Sequence, residues 1–193
     1  RLKNTMKFQY IMTEDFSYEL KIPQERVAVL IGKNGDIKKG IEADTKTTIN
    51  VDSAEGDIFI SGEDALGLYT AREVIKAIGR GFNPDIAKLL LKQDYVLEII
   101  HMTEYVGKSK NTLLRLKGRV IGRDGKSRKL IEELTESYIC VFGKTIGIIG
   151  LPESATMAKR AIAALLGGST HASVWKWLEK RRRELKRKRI IDM

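Results

Sequence analysis

The sequence predicts an α+β protein made of two copies of one small unit, strand-helix-helix-strand-strand-helix, followed by a basic C-terminal helix. Three observations carry this expectation: a glycine-framed basic turn that occurs twice, an ungapped repeat of the residues around it, and hydrophobic periods that alternate between two and 3.6 on either side.

The turn is clearest in Lys117–Lys129, where Gly122 and Gly125 bracket Arg123 and Asp124, and Lys126, Arg128 and Lys129 follow. Glycines lack a Cβ, so such a turn can bend sharply and let a sugar-phosphate chain approach closely. The first amides of the next helix are unpaired, lie at the positive end of its dipole and suit phosphate oxygens. Gly32-Lys33-Asn34-Gly35 stands in the same setting 90 residues earlier. From there the match continues without a gap: Ile31, Gly32, Gly35, Lys39, Ile41, Glu42, Thr45, Ile49 and Val51 recur as Ile121, Gly122, Gly125, Lys129, Ile131, Glu132, Thr135, Ile139 and Val141. After a hairpin two residues shorter, Ile58, Ile60, Gly62, Arg72 and Gly79 recur as Ile146, Ile148, Gly150, Arg160 and Gly167. One such loop would suit an ordinary helix-turn-helix connection; two in register mark an internal duplication.

In chain order, residues 1–13 carry Phe8, Tyr10 and Ile11, which fit an added strand or a plain lead-in equally. A first residue of arginine implies a native segment upstream. The first unit spans residues 14–81. Phe16, Tyr18, Leu20 and Ile22 alternate with Ser17, Glu19 and Lys21, the pattern of a half-buried strand. Beyond the loop and its second helix, strands fall at Thr47 to Val51 and Ile58 to Ser61, joined through Gly56. A helix then places Leu68, Ala71, Ile75 and Ile78 on one face and stops at Gly79.

Residues 82–93 read as a helical connector, with Asn83 as N-cap, Pro84 first in the helix, and Ile86, Leu89 and Leu90 on one face. The second unit, residues 94–168, opens with a strand from Tyr95 to His101. Extra residues Met102 to Ser109 precede a helix through Asn111 to Leu116 that is longer than its counterpart. Its closing helix carries Ala158, Ala161, Ile162 and Leu165 on one face and ends at Gly167-Gly168, read as a hinge. In residues 169–193, Ser169 or Thr170 caps a last helix containing Val174, Trp175, Leu178 and Leu185. From Val174 to Met193, nine cations stand against three acids, a net +6. This suits either a solvated tail or an apolar face docked on the body with its distal cations on phosphates.

Composition narrows the function. The 193 residues hold 35 basic and 25 acidic side chains, a formal charge of +10, which alone would suit a nucleic acid or an anionic membrane surface. No apolar run approaches a membrane span and no secretory signal is visible, which implies a cytoplasmic protein without a membrane partner. Cys140 is the only cysteine, so neither an internal disulfide nor a cysteine metal cluster can form. His101 and His171 are far apart in sequence, and no metal or cofactor is expected. Gly125-Lys126-Ser127 comes nearest to a nucleotide-hydrolysing loop, but the glycine needed five residues before Gly125 is Val120. Carboxylates such as Glu132 and Glu133 fall on helices without a catalytic partner pattern, so no enzymatic activity is expected.

Both units resemble type I KH domains. Besides the two loops, the likeness rests on the aliphatic pairs Leu30-Ile31 and Val120-Ile121, the small residues Ala28 and Gly118, and Thr45 and Thr135 before the next strand. Lys38 and Arg128 depart from the family, where an aliphatic residue is common. The resemblance implies single-stranded RNA binding, with the loop clamping about four nucleotides. Gly32, Lys33, Asn34 and Gly35 would form one clamp and Gly122, Arg123, Asp124 and Gly125 the other. Lys39 and Lys129 would reach phosphates, with Lys126 and Arg128 adding positive charge. Leu30, Ile49, Val120 and Ile139 would line the grooves or the cores. More cations flank the second loop, counting Lys117 and Arg119, than the first, with Arg26, Lys33, Lys38 and Lys39, so the second unit is expected to supply more of the affinity.

The tandem arrangement, the stretch Leu116–Lys129 and the Trp-containing basic last helix closely resemble the archaeal relatives of the eukaryotic "partner of Nob" ribosome-assembly proteins. That implies binding near the 3′ end of small-subunit ribosomal RNA or its precursor, beside the endonuclease that matures this end and other assembly or translation-initiation factors. Two other classes stay open: a non-ribosomal KH regulator of transcription or RNA decay, and a protein-interaction scaffold.

Overall fold

The computed structural model describes residues 16–106 and 109–191. The segment holding Phe8, Tyr10 and Ile11 lies outside them. The first unit runs β1 (Phe16–Lys21), α1 (Gln24–Ile31), α2 (Asp36–Thr45), β2 (Thr48–Val51), β3 (Asp57–Gly62) and α3 (Ala65–Gly79). A connector with α4 (Pro84–Ala87) and a 3-10 turn (Lys88–Leu91) follows. The second unit runs β4 (Val96–His101), α5 (Thr103–Val106), α6 (Lys110–Ile121), α7 (Lys126–Thr135), β5 (Tyr138–Phe142), β6 (Thr145–Gly150) and α8 (Pro152–Leu166), and α9 (His171–Ile191) ends the chain. Each unit has one antiparallel three-stranded sheet, ordered β1-β3-β2 and β4-β6-β5. The chain is thus α+β, two KH-type units with a C-terminal helix.

Alternation places Ile58 and Ile60 of β3 on one face with Ile49 of β2, and all three are buried with Leu68, Ala71, Ile75 and Ile78 of α3. Asp64 starts α3 by accepting the amides of Leu66 and Gly67. β1 is more open than its alternation suggests. Tyr18 pairs with Ile60 but is 42% exposed, because an edge strand is covered on one flank only. The Arg72 guanidinium lies 4.9 Å from the centre of its ring.

The second core repeats this plan, with Ile139, Ile146 and Ile148 packed with Ala158, Ala161, Ile162 and Leu165. Val174 and Leu178 of α9 are buried in the same core, so the last helix is docked rather than a solvated tail. The cap is Thr170, whose Oγ1 accepts the Ser173 amide at 3.3 Å. The glycine pair before it forms a hydrogen-bonded turn instead of a free hinge. Gly168 N–H donates to Leu165 O at 3.2 Å and Ser169 N–H to Ala164 O at 2.9 Å.

The connector seals the outer face of the second sheet. Phe82 is 3% exposed and lies against Gly147, where an added Cβ would come within 2.6 Å of its ring. An added Cβ on Gly81, whose φ is +96°, would come within 2.8 Å of Phe142 and 2.9 Å of Cys140 of β5. Arg26 of α1 donates to Phe82 O at 2.6 Å, and its guanidinium carbon is 5.9 Å from the centre of the Phe142 ring. Ile149 of β6 is buried in the first unit's core. The matching face of the first sheet, with Phe59, Glu19 and Asn50, is exposed.

Candidate nucleic-acid interface

The two glycine loops have the same backbone. Gly32 (φ 75°, ψ −177°) matches Gly122 (72°, 176°), and Gly35 (79°, 15°) matches Gly125 (75°, 8°). Asn34 and Asp124 have φ of 56° and 54°, the left-handed region that asparagine and aspartate enter more readily than other side chains. The glycines differ in what surrounds them. A Cβ on Gly122 would come within 2.8 Å of the Ser127 amide, and one on Gly32 within 2.9 Å of the Ile37 amide. A Cβ on Gly125 would meet nothing within 4 Å. The first glycine lets the turn close against its own helix; the second leaves open space where a ligand backbone can approach. Ala28 and Gly118, on the helices leading into the loops, are exposed as well.

Behind each loop stands the same polar frame. Glu42 Oε1 accepts the Ile49 amide at 2.7 Å, and Glu132 Oε1 accepts the Ile139 amide at 2.7 Å, so each carboxylate holds the strand that follows the second helix. Lys38 lies 3.5 Å from Glu42 and Arg128 3.8 Å from Glu132. A cation thus stands beside each frame carboxylate, at the position where the family commonly carries an aliphatic residue. Thr45 and Thr135 donate to the carbonyls of Ile41 and Ile131 at 2.7 Å and share hydrogen bonds with Thr47 and Ser137.

Several residues singled out from sequence serve the interior. Leu30, Ile49 and Val120 are fully buried and Ile139 nearly so; they are core residues, not groove walls. The half-buried aliphatics beside the loops are Ile31, Ile37 and Val51 in one unit and Ile121, Leu130 and Val141 in the other. Arg26 donates to Ile78 O at 2.8 Å as well as to Phe82 O, and Arg119 donates to Leu165 O at 3.1 Å and Ser169 O at 2.5 Å. Both arginines therefore brace the end of a closing helix.

The two loops part in their remaining charges. In the first, Asp36 Oδ1 accepts the Ile37 amide at 2.8 Å, putting a carboxylate in the turn of α2 where an anion would bind. Lys39 Nζ turns back to Asn34 O at 3.5 Å, leaving Lys33 as the loop's exposed cation without a partner among the described residues. In the second, Lys126 takes the place of Asp36, and no side chain accepts from the first-turn amides of α7 among the described residues. Ser127 is buried and donates to Arg119 O at 3.3 Å. Arg123, Lys126 and Lys129 are exposed and unpaired among the described residues, while Lys117 is half-buried. Distal to these, α9 exposes Lys180, Arg183, Lys186 and Arg187. Arg181 pairs with Glu184 at 2.8 Å and holds that carboxyl below the usual carboxylate range. Among the described residues, no cluster of three metal-ligating side chains occurs and no helix is long and apolar enough to cross a membrane.

Comparison with known proteins agrees with this geometry. Residues 17–77 match the KH domain family, and residues 96–183 match the eukaryotic type KH-domain (KH-domain type I) family. A KH domain-containing protein of Methanocaldococcus jannaschii is 46% identical over 182 residues, covering 92% of this chain and 79% of that protein. The RNA-binding protein PNO1 of Oryzias latipes is 32% identical over 114 residues, 58% of this chain and 47% of its own length. Among solved structures, Dim2p from Pyrococcus horikoshii OT3 has a TM-score of 0.80 at 44% identity, covering 86% of this chain and 99% of that one. A chain in the a/eIF2alpha-aDim2p-rRNA complex from the same organism has a TM-score of 0.83 at 43% identity, covering 89% and 96%. With two KH units in tandem and a relative that shares most of its length, the chain belongs to the KH-domain family and is an archaeal-type homologue of eukaryotic PNO1.

Proposed function

We propose that this protein binds single-stranded RNA during ribosome assembly and holds the 3′-end region of small-subunit ribosomal RNA or its precursor, mainly through its second KH unit. The observation that carries this reading is the open second loop, with free first-turn amides beside exposed Arg123, Lys126 and Lys129. Unpaired bases can lie along such a loop, whereas stacked pairs cannot. Homology to PNO1 and the likeness to a chain solved in an rRNA complex support the ribosomal context.

In this reading the units are residues 14–81 and 94–168, joined by 82–93, with 169–193 adding sequence-independent attraction to phosphates. The protein acts as a holder and not as an enzyme. Its protein partners would be the endonuclease that matures the same RNA end and a translation-initiation factor, the latter supported by the a/eIF2alpha in the related complex.

The test is a titration with three RNAs of equal length: the single-stranded 3′ end of small-subunit rRNA, the same bases closed in a hairpin, and an unrelated single strand. The first should bind tightest. Equal affinity for the hairpin would remove the single-strand reading, and equal affinity for the unrelated strand would remove the 3′-end assignment.

A further inference from the structure

A groove between α8 and α9 is not accounted for by the two loops. It consists of two clefts, of about 350 and 270 Å³, and both are bordered by Arg160 and Trp177. On α9, Ser173, Trp177 and Arg181 recur every fourth residue and so form a stripe facing α8. Trp177 is half-buried, and Arg160 is exposed with no ion pair or hydrogen bond among the described residues.

The duplication shows that Arg160 is used differently here. Its counterpart Arg72 covers the Tyr18 ring of β1. In the second unit the strand position matching Tyr18 is Glu98, which pairs with Lys159 at 2.8 Å, so Arg160 is left to the groove. The near end of the groove, at Ser169, is tied to the second loop, because Ser169 O accepts from Arg119, three residues before Gly122. From Ser173 to Arg181 the stripe extends about 12 Å at the rise of an α-helix.

We propose that this groove is a second RNA subsite, which takes a nucleotide of the strand that leaves the second loop. The base stacks on Trp177 and the adjoining phosphate meets Arg160, with Arg181 beyond it. An indole beside a guanidinium suits an unpaired nucleotide of any sequence, since every base has a stacking face. Arg181 is already held by Glu184 at 2.8 Å, so the unpaired Arg160 guanidinium beside the Trp177 ring, rather than an excess of charge, favours a nucleotide. The subsite rests on the RNA-binding reading above and extends it beyond one loop.

The test uses the full chain carrying Trp175→Phe, so that Trp177 is the only tryptophan, with two single-stranded RNAs. One has four nucleotides, enough for a single KH clamp, and the other about ten. The longer strand should quench Trp177 fluorescence and the shorter should not. Arg160→Glu, an exposed change whose fold is checked by circular dichroism, should weaken the longer strand about tenfold and leave the shorter unchanged, as expected for loss of one stacked and paired nucleotide. Absence of quenching by the longer strand, or equal weakening of both strands, would overturn the subsite while leaving the loop reading intact. Failure of the unaltered chain to bind either strand would overturn both.

Discussion

Phe59 and Gly147 hold the same position in the two KH units, at the centre of the outer sheet face, and their environments are opposite. Phe59 is 48% exposed, whereas Gly147 is buried and leaves room for the Phe82 ring. Ser61 and Asn50 of the first sheet correspond likewise to Ile149 and Cys140 of the second, which face the seam with the first unit. The loops diverge in the same manner: Asp36 fills the first turn of one clamp, and Lys126 opens that of the other. Meanwhile the frame of Glu42 and Thr45 is kept to within a tenth of an ångström in Glu132 and Thr135. Duplication has preserved what closes each unit and changed what each unit meets. The first unit supports the second sheet, and in the second unit no side chain accepts from the first-turn amides of α7 among the described residues.

The largest expected effect breaks the comparison at the loops. Arg123→Asp places two adjacent acids in the second turn without crowding it, and should lower affinity for single-stranded RNA by roughly tenfold, since a phosphate contact becomes a repulsion. Lys33→Asp, the matched change, should lower it only about threefold, because Asp36 already weakens that site. Anisotropy titrations of the two variants at one salt concentration decide this; equal losses would mean the loops are equivalent. Glycine substitutions are poorer probes, because a side chain at Gly122 or Gly32 strains the turn itself.

Next come the shared frames. Glu42→Ala and Glu132→Ala each strip a strand amide of its acceptor, and each should destabilise the protein by about 1–3 kcal/mol in urea unfolding. A tolerated change in one unit only would show that the frames are not equivalent. At the sheet centres the expectation is unequal: Gly147→Ala drives a methyl into Phe82 and should cost about 1–3 kcal/mol, while Phe59→Ala should stay within about 0.5 kcal/mol.

The smallest effect is chemical. Burial pushes the Cys140 thiol up, so less thiolate forms at pH 8 than for a free thiol, and alkylation should be slow and should accelerate only above the ordinary thiol range. Gly147→Ala should speed it by loosening the seam over β5. Unchanged alkylation in that variant would indicate that the seam absorbs the methyl.

Much of this was legible in the sequence because the chain states it twice. The repeated Ile-Gly and Gly positions located both loops, and the alternation of Ile58 and Ile60 and of Ile146 and Ile148 located both sheets. Periodicity gives the face a side chain shares but not what covers it. Phe16 and Tyr18 therefore read as half-buried although they lie on an edge, and Leu30 and Val120 read as possible groove walls although they are fully buried. Counting cations likewise ignores nearby acceptors. Arg26 and Arg119 looked available to phosphates but are taken by carbonyls more than 40 residues away in sequence. Trp177 does not stand out in the sequence, because Trp175 lies beside Val174 and Leu178 on the apolar face of α9, and only the packing of α8 against that helix shows the groove.

The central claim, that the second loop holds the RNA, is tested most directly by photo-crosslinking. A single-stranded RNA carrying 4-thiouridine at successive positions would be irradiated with the intact protein, and the crosslinked peptides identified by mass spectrometry. The account predicts that most crosslinks fall between Lys117 and Lys129. A majority between Val29 and Lys39 would contradict it.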